Sequence, residues 1–72
     1  MRILIIGGGG REHAIAQSVS RSSKADKIYC APGNAGIEEF AQCVPIAAME
    51  FDQLAAFAKE HQIDLTIVGP DD

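Results

Sequence analysis

Residues 3–14 read Ile-Leu-Ile-Ile-Gly-Gly-Gly-Gly-Arg-Glu-His-Ala, and this stretch decides the fold. An unbroken aliphatic run is typical of a parallel strand that is covered on both faces. The glycines that follow permit a sharp turn, and the residues from Arg11 onward suit the start of a helix. The first turn of a helix has amides without intrahelical acceptors, so this junction favours an anion as its ligand.

The rest of the chain continues the alternation of strands and helices. After a central strand at residues 2–6, further strands are predicted at Lys27–Ala31, Cys43–Ile46 and Asp64–Val68. Pro45 favours an edge position for the third of these strands, because it has no N–H for a neighbouring strand. Two helices are predicted, at residues 11–21 with Ala14, Ile15, Ser18 and Val19 facing inward, and near residues 51–61 with Phe51, Leu54, Ala55 and Ala58 facing inward.

This order predicts an α/β fold: a small, Rossmann-like, open and mainly parallel sheet with helices on both faces. The 72 residues make one domain, residues 1–72. A chain of this size buries only about 60% of the surface that its unfolded form exposes, so we expect marginal stability. Its uncovered apolar faces and strand edges predict self-association.

Composition excludes several classes of protein. The chain is 47% hydrophobic and 22% charged, which indicates a globular domain, and its net charge of -4 argues against a nucleic-acid surface. The apolar run at residues 3–6 is too short for a signal peptide or a membrane span, so we expect no membrane contact and a cytoplasmic location. Cys30 and Cys43 have no metal-ligand spacing and are expected to be buried free thiols.

Three glycine-containing loops, at residues 7–13, 32–36 and 69–72, are expected at the carboxyl edge of the sheet, where open α/β sheets bind ligands. The candidate substrate-binding residues are Gly8, Gly9, Gly10, Arg11, Glu12, His13, Pro32, Gly33, Asn34, Gly69, Pro70 and Asp71. Nothing in this set supplies a nucleophile with an oriented base. We therefore expect neither catalytic residues nor a metal site in the chain.

The residues at the glycine run each have two interpretations. Gly8–Gly10 either let a phosphate or ribose approach closely or form a purely structural turn. Arg11 either neutralises a phosphate or points into solvent. His13 is either an acid-base group or a packing residue of the helix surface.

Three further polar residues are equally open to a structural role. Glu12 either accepts hydrogen bonds from loop amides or favours the helix N-terminus by its charge. Asn34 fixes its own loop by local hydrogen bonds, with substrate contact as the alternative. His61 is most simply a surface residue that compensates the dipole at the end of the second helix.

A dinucleotide site is disfavoured by two features. The pattern G-x-G-x-x-G/A requires a small residue at position 12 or 13, where the chain has Glu12 and His13. The second strand also ends Cys30-Ala31-Pro32, without the acidic residue that would hold the ribose hydroxyls of NAD. The glycines therefore suit a monophosphate or sugar phosphate better than a nicotinamide cofactor.

Three blocks carry a resemblance to a known family. The opening residues 3–14, the loop Ala-Pro-Gly-Asn-Ala-Gly at residues 31–36 and Val-Gly-Pro-Asp at residues 68–71 resemble the N-terminal domain of phosphoribosylamine-glycine ligases. These blocks occur in the family's order and span most of the chain. One departure is Asp71, where the family usually has Glu, and this puts a carried-over contact at Asp71 in doubt.

The resemblance implies the pre-ATP-grasp, substrate-binding part of a purine-biosynthesis ligase. Such a ligase joins glycine to 5-phosphoribosylamine through a glycyl phosphate and yields glycinamide ribonucleotide, ADP and phosphate. The ATP-grasp and C-terminal domains, with ATP and Mg²⁺ or Mn²⁺, would then lie outside this truncated chain, which is expected to be inactive alone. The alternative is a stand-alone phosphate- or nucleotide-binding module without catalysis.

Overall fold

The computed structural model describes residues 1–68, and Gly69, Pro70, Asp71 and Asp72 lie outside the described residues. The strands are β1 (Arg2–Gly7), β2 (Lys27–Pro32), β3 (Gln42–Cys43) and β4 (Leu65–Val68). The helices are α1 (Gly10–Ser20) and α2 (Phe51–Glu60), with a 3₁₀ turn at Ile37–Glu39. The predicted order of strands and helices is confirmed.

Within residues 1–68 the strands form one parallel sheet in the order β3-β2-β1-β4. The β1 strand is central, as predicted, because its aliphatic residues are covered on both faces. Ile5 pairs with Cys30 on one side and with Ile67 on the other. The β1 and β2 strands end together at Gly7 and Pro32, so the loops after these residues start from neighbouring points.

The core lies in two layers, one on each face of the sheet. The α1 layer contains Ile3, Ile5, Ala16, Ile28, Cys30, Ile37 and Ala41. The α2 layer contains Leu4, Tyr29, Ala31, Val44 and Leu54. Consecutive β1 residues alternate between the layers, which is the period of a strand and confirms helices on both faces.

The predicted inward face of α1 is partly wrong. Glu12 and Ala16 are the buried residues of this helix, whereas Ala14 and Ser18 are exposed. A hydrogen bond from the Gly9 amide holds Glu12 inward, and Ala16 follows one turn later on the same side. An apolar pattern cannot identify a face that begins with a buried carboxylate.

The predicted inward face of α2 is also partly wrong. Leu54 is buried, but Phe51 is 66% exposed. The aromatic residue that packs inward is Phe57, whose ring meets the ring of Tyr29 edge-on at 5.0 Å between centroids. Ala55 is exposed as well, whereas Leu54 and the partly buried Phe57 pack in the α2 layer of the core.

The third strand is shorter than predicted but lies at the predicted edge. It spans only Gln42–Cys43, and Val44 N still donates to Cys30 O at 2.9 Å. Pro45 cannot donate the next hydrogen bond, so pairing with β2 ends there.

The opposite edge of the described sheet is β4, which has neither charge nor proline to discourage pairing. Leu65 is 44% exposed and Val68 is 68% exposed. We expect the chain to self-associate through this edge, because unpaired backbone groups beside apolar side chains favour strand addition. Sedimentation should show dimers or larger species at high concentration.

A charge placed on each sheet edge tests this expectation. Thr66→Lys on β4 should shift the population toward monomer, while Gln42→Lys on β3 should leave it unchanged. A wild-type monomer at high concentration would contradict the prediction.

Neither described helix is long and apolar enough to cross a membrane.

Candidate functional site

Two loops meet at the carboxyl edge of the sheet, as predicted. We call residues 7–10 the glycine loop and residues 32–36 the Asn34 loop. Gly33 N donates to Gly7 O at 3.1 Å, and Asn34 Nδ2 donates to Gly8 O at 2.7 Å. The approach is so close that a Cβ on residue 8 would stand 2.8 Å from Gly33 O. The two loops therefore form one surface.

Asn34 fixes both loops at once. Its Oδ1 accepts a hydrogen bond from Ile37 N at 3.0 Å, which closes its own loop against the 3₁₀ turn. Its Nδ2 makes the bond to Gly8 described above. The structural role predicted for Asn34 is confirmed and extends to the neighbouring loop, while contact with a substrate stays a prediction.

Glu12 fixes the glycine loop through a hydrogen bond from a loop amide. Its side chain is only 7% exposed, and its Oε1 accepts a hydrogen bond from Gly9 N at 2.7 Å. This is one half of a capping box, since Gly9 is the N-cap residue of α1 and has no side chain for the other half. Of the two interpretations of Glu12, the structure favours the hydrogen bond to a loop amide.

The start of α1 presents donors to solvent. Its first backbone bond runs from His13 N to Gly9 O at 3.0 Å, and within residues 1–68 the amides of residues 10–12 have no backbone acceptor. A Cβ on residue 10 would meet nothing within 4 Å, so space is open above this point. Arg11 is exposed and makes no ion pair with any described residue.

Both histidines pack against aromatic rings. His13 is half-buried, with its ring centroid 5.6 Å from that of Phe40, and this supports the packing interpretation. His61 is the C-cap residue of α2 and stacks on Phe57 at 4.0 Å. His61 therefore packs as well as lying at the negative end of the helix.

Both thiols are free and Cys30 is buried, as predicted, but Cys43 is only partly buried. The hydrogen bonds of the two thiols were not predicted. Cys30 Sγ donates to Gly7 O at 3.2 Å, and Cys43 Sγ donates to Asn34 O at 3.4 Å. Burial, together with the nearby Cys43 and Glu12, raises the pKa of the Cys30 thiol to about 11. Burial also raises the pKa of Cys43. Protonated thiols can donate hydrogen bonds. The available sequence signal for these contacts was the position of both cysteines close to the carboxyl ends of their strands.

Of the remaining candidate substrate-binding residues, one lies among the described residues and three do not. Pro32 ends β2 beside Gly7 and is exposed, at the rim of the joined loops. The candidates Gly69, Pro70 and Asp71 lie outside the described residues, so the third predicted loop has no structural account. Residues 1–68 contain no group of three or more His, Cys, Asp or Glu side chains that could hold a metal ion.

Comparison with known proteins matches the whole chain. The family model for phosphoribosylglycinamide synthetase, N domain, matches residues 1–72. The chain is 55% identical over 71 residues to a phosphoribosylamine–glycine ligase of Caldanaerobacter subterraneus subsp. tengcongensis, covering 99% of the chain and 17% of that protein. It is 56% identical over 73 residues to the ligase of Yersinia pestis, with the same coverage of both chains. The chain thus spans about one sixth of the length of these curated relatives.

Proposed function

The chain belongs to the family of phosphoribosylglycinamide synthetase N domains, and from this membership we propose that it is the substrate-binding N-terminal part of a phosphoribosylamine–glycine ligase of purine biosynthesis. Its ligand is 5-phosphoribosylamine or the product glycinamide ribonucleotide. The joined loops receive the phosphoribosyl group of either molecule. The relatives' printed names and the glycine-loop geometry support this proposal.

The observation that carries the proposal is the pairing of open helix amides with a rigid loop surface. At the positive end of α1, the amides of residues 10–12 have no backbone acceptor among the described residues, and the space beside Gly10 is open. Hydrogen bonds from Gly33 and Asn34 hold the adjoining loop in place without any ligand. A phosphate fits the amides, and the ribose would then lie on the surface that the two joined loops form.

The chemistry of the ligase belongs to the rest of the enzyme. We propose that glycine activation, ATP and Mg²⁺ or Mn²⁺ are handled by an ATP-grasp domain outside these 72 residues. The remainder of the ligase is the chain's partner, and the cytoplasm is its location. The 72-residue chain binds substrate and does not catalyse the reaction.

Titration of the chain with glycinamide ribonucleotide tests the proposal. Backbone amide shifts should move at residues 8–13 and at Asn34 and stay constant in α2. Arg11→Gln should weaken binding about tenfold, because it removes a charge-assisted hydrogen bond to the phosphate. The unphosphorylated ribonucleoside should bind much more weakly than the nucleotide.

Arg21→Gln is the matched control for Arg11→Gln. Arg21 is also exposed, but it caps the other end of α1. Its substitution removes the same charge and should leave binding unchanged. Equal losses in both variants would indicate nonspecific attraction, and unchanged amide shifts at millimolar nucleotide would contradict the proposal.

A further inference from the structure

Glu12 fills the space that the glycine loop encloses. A Cβ on residue 7 would stand 2.6 Å from both Glu12 Cγ and Glu12 Cδ, and a Cβ on residue 9 would stand 3.2 Å from Glu12 Oε1. The carboxylate thus lies between Gly7 and Gly9 and is 7% exposed. Its hydrogen bond occupies the Gly9 amide.

A diphosphate bound in the glycine loop would need the space and the Gly9 amide that Glu12 occupies. In dinucleotide-binding loops of this type, the glycine at the position of Gly9 lets the backbone approach a pyrophosphate, and a small residue at the position of Glu12 lets the helix pack closely against the strand. Here the space and one loop amide are already occupied by an anion that belongs to the protein. A second phosphate group in the loop would meet the buried carboxylate and find the Gly9 donor already used.

We propose that Glu12 is a specificity-determining residue, which excludes diphosphate groups from the glycine loop by occupying the Gly9 amide. A single phosphate can still use the amides of residues 10–12, which have no backbone acceptor among the described residues, and the open space beside Gly10. This inference rests on the proposed function, because it assumes that the loop receives a phosphate. It deepens that function by restricting the ligand to monophosphates.

Binding of pyrophosphate and inorganic phosphate to Glu12 variants tests the inference. In the wild-type chain, pyrophosphate should move the Gly9 amide shift no further than inorganic phosphate does. Glu12→Ala frees this amide and opens the space, so pyrophosphate should move the Gly9 shift and bind about tenfold more tightly, relative to phosphate, than it binds wild type. Glu12→Gln keeps an oxygen on the Gly9 amide and should not gain the Gly9 contact.

Glu60→Gln controls for net charge, since Glu60 is exposed and ends α2. It should not change the preference between the two anions. If Glu12→Ala fails to fold, Glu12→Asp replaces it, because the shorter acid withdraws from Gly9. A folded variant without gain of pyrophosphate binding would overturn the inference. So would a wild-type chain whose Gly9 amide shift responds more strongly to pyrophosphate than to inorganic phosphate.

The inference and the proposed function fail in different ways. Loss of the Glu12 effect with intact binding of glycinamide ribonucleotide would remove only the inference. Absence of nucleotide binding, with the Glu12 effect on pyrophosphate present, would remove only the phosphoribosyl ligand.

Discussion

Gly33→Ala is expected to lower the free energy of unfolding by about 2–4 kcal/mol, a large part of the stability of so small a domain. Gly33 has a φ of 72°, which disfavours any residue with a side chain. A Cβ there would also stand 2.3 Å from Cys43 Sγ and 3.1 Å from Cys43 Cβ. Urea unfolding followed by circular dichroism should show an earlier midpoint with an unchanged slope.

Two comparisons separate the causes of this loss. Gly10→Ala adds the same methyl group where nothing lies within 4 Å, at the first residue of a helix, and should leave stability unchanged or slightly higher. Cys43→Ala removes the sulfur that the new methyl would meet. The double variant should therefore recover part of the loss, and the remainder measures the backbone strain. Equal stability of Gly33→Ala and Gly10→Ala would contradict the prediction.

The sequence predicted the elements well because their signals are local. The aliphatic run at residues 3–6 and the glycines after it fix a strand and a turn without help from the rest of the chain. The period of two in β1 also determines which residues face each helix layer. The edge position of the third strand followed from the missing N–H of Pro45.

The sequence predicted the site less completely because its bonds are tertiary. Asn34 and Gly8 are 26 residues apart, and no spacing rule predicts that the amide of one would bond the carbonyl of the other. No spacing rule predicts the hydrogen bond of Cys30 either, whose thiol on β2 donates to Gly7 O on the neighbouring strand β1. Loop composition predicted that the glycine loop and the Asn34 loop meet at the carboxyl edge of the sheet, whereas the hydrogen-bond partners of their residues required the packed structure.

The burial of Glu12 could not be predicted from its neighbours in the sequence. Its place in the first turn of a helix predicts a favourable charge at the N-terminus. Burial of its carboxylate, however, depends on the space that two glycines leave beside it. The inward face of α1 therefore includes a carboxylate, which the apolar pattern did not predict.

Asn34→Ala is expected to weaken binding of glycinamide ribonucleotide at least tenfold and to destabilise the fold by about 1–3 kcal/mol. The variant loses the bond to Gly8 O and the bond from Ile37 N, each worth about 0.5–1.5 kcal/mol. Without the first bond, the glycine loop is no longer held against its neighbour. A calorimetric titration would measure the loss of binding and urea unfolding the loss of stability. Gln17→Ala on the exposed side of α1 is the neutral control.

Asn34→Asp identifies which of the two bonds positions the loop. The acid has the same shape and keeps the oxygen that accepts from Ile37 N, but it replaces the donor at Gly8 O by a second oxygen. Repulsion between this oxygen and the Gly8 carbonyl should separate the loops, and the added negative charge should further oppose a phosphate. We therefore expect Asn34→Asp to bind the nucleotide more weakly than Asn34→Ala while losing less stability. If Asn34→Asp instead bound the nucleotide more tightly than Asn34→Ala, loop positioning would be assigned to the Ile37 bond, because only the alanine variant removes that bond.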